Sequence, residues 1–205
     1  MIFPSANGIE RPVRLSVATR RFALDSLAHK YGLETRANPG VNFTAGELAA
    51  LTDIEKYDLA IKKIALEAPV RVCPGELVSG SATLGAAIDH KVPAFCDGKM
   101  LFWSVSHLTV DFETVVKKGV GYIEEQAKAA FEKYQGTERE PFCRSALNCM
   151  EAFRIYHKRY LEALQGKPEY RRNYENLLRV PFSPAESFCE GVQAIWFTVR
   201  SGAHV

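Results

Sequence analysis

The sequence has no run of about 18 apolar residues, the length a membrane-crossing helix requires. Its first residues, Met1-Ile-Phe-Pro-Ser-Ala-Asn-Gly8, lack the basic-then-apolar order of a secretory leader. A cytoplasmic protein without a membrane partner is therefore expected. Cysteines are few and poorly placed for pairing. Cys73, Cys96, Cys143, Cys149 and Cys189 are odd in number and include no Cys-x-x-Cys, which argues against a disulfide framework and against a thiolate zinc site. No two histidines stand at His-x-x-x-His spacing, so a helical metal pair is missing. No Gly-x-Ser-x-Gly elbow offers a hydrolase nucleophile. Gly80 to Gly85 has the spacing of a phosphate loop, but Ala86 and Ala87 stand where Lys and Ser or Thr would hold phosphate and magnesium. Charge excess is also lacking. A net charge of +2 gives no strong footprint for nucleic acid. Arg154, Lys158, Arg159, Arg171 and Arg172 do interleave with Tyr156, Tyr160, Tyr170 and Tyr174, a pattern that can bind single strands. Glu151, Glu162, Glu169 and Glu175 dilute it, and a solvated helix face accounts for it better.

What is present is an ordinary globular composition. Of 205 residues, 47% are hydrophobic, 24% charged and 11% aromatic, enough for one large domain over 1–205, with 1–43 as a peripheral N-terminal segment. Apolar spacing predicts a helix from Pro12 to Tyr31 through Val13, Val17, Leu24 and Leu27. Thr44 with Glu47, or Thr52 with Glu55, offers a capping box for a second helix reaching about Leu66. Val70-Arg-Val72, the turn Cys73-Pro-Gly-Glu76 and Leu77-Val-Ser79 read as a β-hairpin. The stretch from Ala86 to Thr109 reads as a long irregular loop carrying Phe95, Phe102 and Trp103; loops of that length are usually functional. Two long helices are predicted next, Asp111 to Tyr134 and Pro141 to Leu164, then a short one through Tyr174 and Leu178. The last helix has a capping box in Ser183, Pro184 and Glu186, and a stripe of Phe188, Val192, Ile195, Trp196 and Val199 that calls for burial within the chain or in an oligomer. The sum is a mainly α fold with a small β-hairpin.

The wording of three stretches is more specific than their pattern. Val180-Pro-x-x-Pro-Ala-x-x-Phe188, followed by Glu190-x-Val-Gln193 and Trp196-Phe197, resembles the helix that opens the catalytic barrel in glycyl radical enzymes, the pyruvate formate-lyase and diol-dehydratase superfamily. Glu76-Leu-Val-x-Gly80 is similar to a second phrase of that superfamily. His107-Leu-Thr-Val-Asp-Phe-Glu-x-Val-Val-x-x-Gly119 resembles a third, although Ser106 stands where glycine is usual and Leu108 displaces the threonine. The resemblance runs from about Asp53 to Phe197.

It implies an incomplete, N-terminal part of a glycyl radical enzyme α/β barrel, whose full form would be an anaerobic C–C lyase, formate acetyltransferase-like transferase or dehydratase. The implied substrate is a small molecule, with Trp103 and His107 as substrate-binding residues on the cavity wall. The implied partners are an activating enzyme of the radical S-adenosylmethionine type, which installs the glycyl radical, and in a homodimer a second copy. Both radical-bearing phrases of the superfamily are missing here. No Gly-Cys-x-Glu occurs, and Arg200-Ser-Gly202-Ala is one residue short of Arg-Val-x-Gly-aromatic. No catalytic residue, metal ligand or cofactor site is therefore expected in this chain, which should be inactive alone. The competing reading is a stand-alone helical interaction or structural domain derived from that superfamily.

Overall fold

The computed structural model describes residues 16–28, 41–68, 70, 72, 75–80, 94–102 and 110–202. Helix α1 (Val17–Leu27) starts at Ser16, whose Oγ accepts the Thr19 amide at 3.0 Å. It lies inside the span that the apolar spacing predicts. Strand β1 (Val41–Phe43) follows, with Val41 and Phe43 buried. The two capping boxes that the sequence offers as alternatives both form. Thr44 caps the single turn α2 (Ala45–Leu48) and Thr52 caps α3 (Asp53–Glu67), each Glu reaching back to its threonine amide. The bonds from Thr52 hold the Glu55 carboxyl below its ordinary range.

The strands are not where the sequence reading puts them. Residues 77–80 bend and turn without pairing, so the hairpin expected over Val70–Ser79 is absent among the described residues. The reason is that the Ser79 backbone bonds to the side chain of Gln193 instead of to a strand. The sheet has order β1, β2 (Ala94–Cys96), β3 (Lys99–Phe102), with β1 parallel and β3 antiparallel to β2. This strand pair interrupts the stretch expected to be an irregular loop from Ala86 to Thr109. Its turn is Asp97-Gly98, both at positive φ (47° and 76°), the residues that a two-residue hairpin turn requires.

The helix predicted from Asp111 to Tyr134 is broken in two. Asp111 caps α4 (Phe112–Lys118) by accepting the Thr114 amide at 3.1 Å, and α5 (Val120–Tyr134) starts after Gly119. The break is imposed by residues 181–185, which cross the junction: Val120 donates to the Pro181 carbonyl at 2.7 Å, Gly121 to Phe182 at 3.1 Å, and Ala185 to Val116 at 3.0 Å. The long helix is found as α6 (Glu140–Leu164), one residue earlier than predicted, with Ala152, Phe153, Tyr156, Tyr160 and Leu164 on its buried face. It packs on α3, where Asp58 accepts from Ser145 Oγ at 2.5 Å and Asn148 Nδ2 at 2.7 Å. Arg154 joins it to α5 through Glu124, at 2.8 Å from Nε, and lies 4.0 Å over the Phe182 ring. The Arg154 bond outweighs burial and holds the Glu124 carboxyl below its ordinary value. A 3-10 turn (Pro168–Tyr170) leads to α7 (Arg171–Arg179). The last helix is α8 (Phe188–Gly202). Among the described residues, no helix is long and apolar enough to cross a membrane.

Helix α8 corrects the sequence reading at its cap and narrows it at its stripe. Ser183 is not its cap: its amide donates to Arg179, and the residues around it are bonded to the α4–α5 junction, so no helix can start there. The same chemistry appears one turn later. Ser187 Oγ accepts the Glu190 amide at 3.2 Å, and Glu190 Oε2 accepts the Glu186 amide at 2.6 Å. Of the two places expected for the apolar stripe, the interior of this chain is not the one it takes. Gln193, Ala194 and Phe197 are fully enclosed, whereas Phe188 is 86%, Trp196 39% and Val199 40% exposed. The apolar stripe therefore faces outward within this chain.

Candidate functional site

Trp103 and His107, the residues expected to bind substrate, lie outside the described residues. What the structure does bring together is the other parts of the three phrases. Phe197 is their meeting point. Its ring stands edge-on to Phe153 at 5.8 Å, His157 at 5.5 Å and Tyr160 at 5.4 Å. Gly80 packs on it from the second phrase: a Cβ there would lie 3.7 Å from Phe197 Cδ2. The third phrase arrives at its Gly119 end, where the α4–α5 junction receives Pro181 and Phe182 from the first.

The titratable groups in this region serve packing. His157 is buried, and its Nε2 lies 2.8 Å from the Leu177 carbonyl, to which it donates. Burial keeps the imidazole below its ordinary value despite that bond, so it sits neutral among Phe182 and Phe197. Arg179 bonds Glu190 from Nε at 3.1 Å and Glu186 at 2.6 Å, tying α7 to the start of α8. Cys189, on the first turn of α8, is half-buried and touches Arg172 Nη2. The thiol of Cys149 is pushed up to about 11 by burial, with the Asp58 carboxylate adding to the effect. A thiol held that high is a protonated packing group rather than a nucleophile. Among the described residues, no three His, Cys, Asp or Glu side chains gather as metal ligands. Gln193 and Asn173, which sequence periodicity places among the polar positions of their helices, are buried polar groups; Gln193 binds the first phrase to the second, and Asn173 binds α7 to the second. Only the family-like wording of Glu190-x-Val-Gln193 marks the first of them.

Residues 86–204 match the family model described as pyruvate formate lyase-like. The chain belongs to that family. No curated protein matches the sequence. Among solved structures, the pyruvate formate lyase-like chain is similar to one on 1,2-propanediol dehydration in Roseburia inulinivorans, at 18% identity and a TM-score of 0.64 over 93% of this chain and 32% of that one. It is also similar to the glycerol-bound B12-independent glycerol dehydratase from Clostridium butyricum, at 15% identity and a TM-score of 0.55 over 82% of this chain and 33% of that one. These likenesses concern the fold. The chain spans about a third of the length of both. The family model begins at residue 86, yet the likeness in fold takes in most of the elements before it as well.

Proposed function

We propose that this chain is the N-terminal wall of a glycyl radical enzyme, a lyase or dehydratase of small molecules, in which the radical is carried by residues beyond this sequence. Family membership and the likeness to two dehydratases favour that class of chemistry. The observation that carries the reading is helix α8. It is apolar on two sides: Ala194 and Phe197 fill this chain's core, while Phe188, Trp196 and Val199 face outward. A helix with apolar side chains on two sides needs a partner on each, and the solved structures with this arrangement of elements have about two thirds of their length left over. The outward face is accordingly assigned to contact with the catalytic part of the enzyme. In the complete protein, an activating enzyme would install the glycyl radical, the compartment would be the anaerobic cytoplasm, a homodimer is the expected assembly, and Trp103 and His107 would border the substrate.

Reading the coding DNA beyond Val205 tests this. A continuous frame that supplies Gly-Cys-x-Glu and a late Arg-Val-x-Gly phrase is expected. A stop codon with neither phrase nearby would overturn the proposal and favour the stand-alone interaction domain, whose binding surface would then be the same face of α8.

A further inference from the structure

Gln193 is a full-length amide with no solvent exposure. Both of its polar ends go to the backbone of one residue. Oε1 accepts the Ser79 amide at 2.7 Å, and Nε2 donates to the Ser79 carbonyl at 3.0 Å. A neighbouring strand would satisfy Ser79 with the same pair of bonds. Asn173, on α7, donates from Nδ2 to Ser79 Oγ at 3.2 Å and to the Glu76 carbonyl at 3.4 Å. Two helices thus hold the turn at residues 76–80 by side-chain amides. Leu77, the largest apolar side chain of the turn, is 81% exposed and contributes no apolar hold. Nor does the core need an amide at position 193. A buried amide is tolerated there only because each end is bonded, and a methionine or leucine would fill the space without that requirement.

The turn ends at Gly80, φ 84°, where a Cβ would lie 4.0 Å from Trp196 Cδ1. Trp196 belongs to the outward face of α8, one turn after Gln193. We propose that Gln193 and Asn173 form a latch that fixes the backbone of residues 76–80 and couples it to the outward face of α8, which makes Gln193 a positioning residue for the turn that ends at Gly80. Whatever seats on Trp196 bears on the helical turn that holds Ser79, so contact at that face and the course of the chain at Gly80 are set together. The latch stands on these bonds alone and does not depend on the radical chemistry.

The sequence has two tryptophans, so Trp103→Phe leaves Trp196 as the sole indole emitter. In that background, amide hydrogen exchange and Trp196 emission are compared with and without Gln193→Leu, which keeps the bulk and removes both bonds. The latch predicts Ser79 exchange faster by about 100-fold, the effect of losing two hydrogen bonds, with α6 amides changed by less than about threefold and the Trp196 emission maximum displaced. Asn173→Ala keeps the Gln193 bonds and is the second variant; it removes two longer bonds that do not reach the Ser79 amide, so exchange at Ser79 is faster by only about tenfold. Unchanged protection of Ser79 in either variant overturns the latch. So does a rise in exchange that α6 shares equally, because the amides would then be ordinary stabilising groups. If Gln193→Leu does not fold, the Asn173→Ala result decides by the same two criteria.

Discussion

Gly119 is where single-residue chemistry most constrains this fold. Its φ is 79°, and a Cβ there would stand 2.7 Å from the Phe182 carbonyl carbon. Both strain and clash follow for any other residue. Gly136 has a similar φ of 71° but open space around it. Gly119→Ala is expected to lose at least about 2 kcal/mol more than Gly136→Ala in urea denaturation, because the second variant meets only the conformational cost of about 1 kcal/mol. Equal losses would show that the crossing at Phe182 is not close-packed. The apolar spacing carries one helix straight through Gly119 and gives no sign of what crosses there, since Pro181 and Phe182 lie far along the chain. Cys149 permits a second test at this scale. With its thiol at about 11, it should react with an uncharged alkylating agent at pH 8 about 100-fold more slowly than an ordinary exposed thiol, read by mass spectrometry after digestion. The sign for stability follows. A raised thiol favours the fold while protonated, below its ordinary value, and this contribution is lost as pH climbs towards about 11. Modification of Cys149 at the ordinary rate would contradict its burial against Asp58.

Among the elements, those whose ends depend on local chemistry are legible in the sequence. Thr44 and Thr52 cap as their spacing to glutamate predicts, and α6 covers almost the span predicted for it, with Phe153, Tyr156, Tyr160 and Leu164 buried and Phe142 at its start exposed. Helix α8 is the instructive failure. Periodicity selects Phe188, Val192, Ile195, Trp196 and Val199, but the enclosed side includes Glu190 and Gln193, polar groups whose burial depends on Arg179 and Ser79. A distant partner cannot be read from a stripe. The same holds for the cap, because residues 181–185 spend their backbone bonds on α4 and α5. Ser187→Ala should therefore cost about 1 kcal/mol, the usual value of an N-cap, and Ser183→Ala less than about half of that in the same denaturation assay. Reversed values would restore the cap at Ser183. Phe197→Ala is expected to cost about 3–5 kcal/mol as a core truncation, and Trp196→Ala about 1 kcal/mol, because its indole is partly exposed in this chain. A larger loss at Trp196 would mean that the outward face is covered within the chain. The hairpin at β2–β3 had a readable signal in Asp97-Gly98 between apolar residues; the Pro-Gly pair near Cys73 drew the expectation elsewhere.

For the whole molecule, the mainly helical class and the family were legible, because family wording survives where periodicity misleads. The candidate cavity residues were legible only by resemblance, and Trp103 and His107 lie outside the described residues. The polar contacts that Gln193 and Asn173 make to Ser79 were not legible, since they join residues about a hundred positions apart. The central claim is that this chain forms a wall and other residues carry the radical. The direct measurement is electron paramagnetic resonance after anaerobic treatment with an activating enzyme and S-adenosylmethionine, on the complete gene product and on residues 1–205 side by side. A glycyl doublet is expected from the complete product and none from residues 1–205. A doublet from residues 1–205, or no doublet from the complete product under conditions that activate a known dehydratase of this fold, would contradict the account.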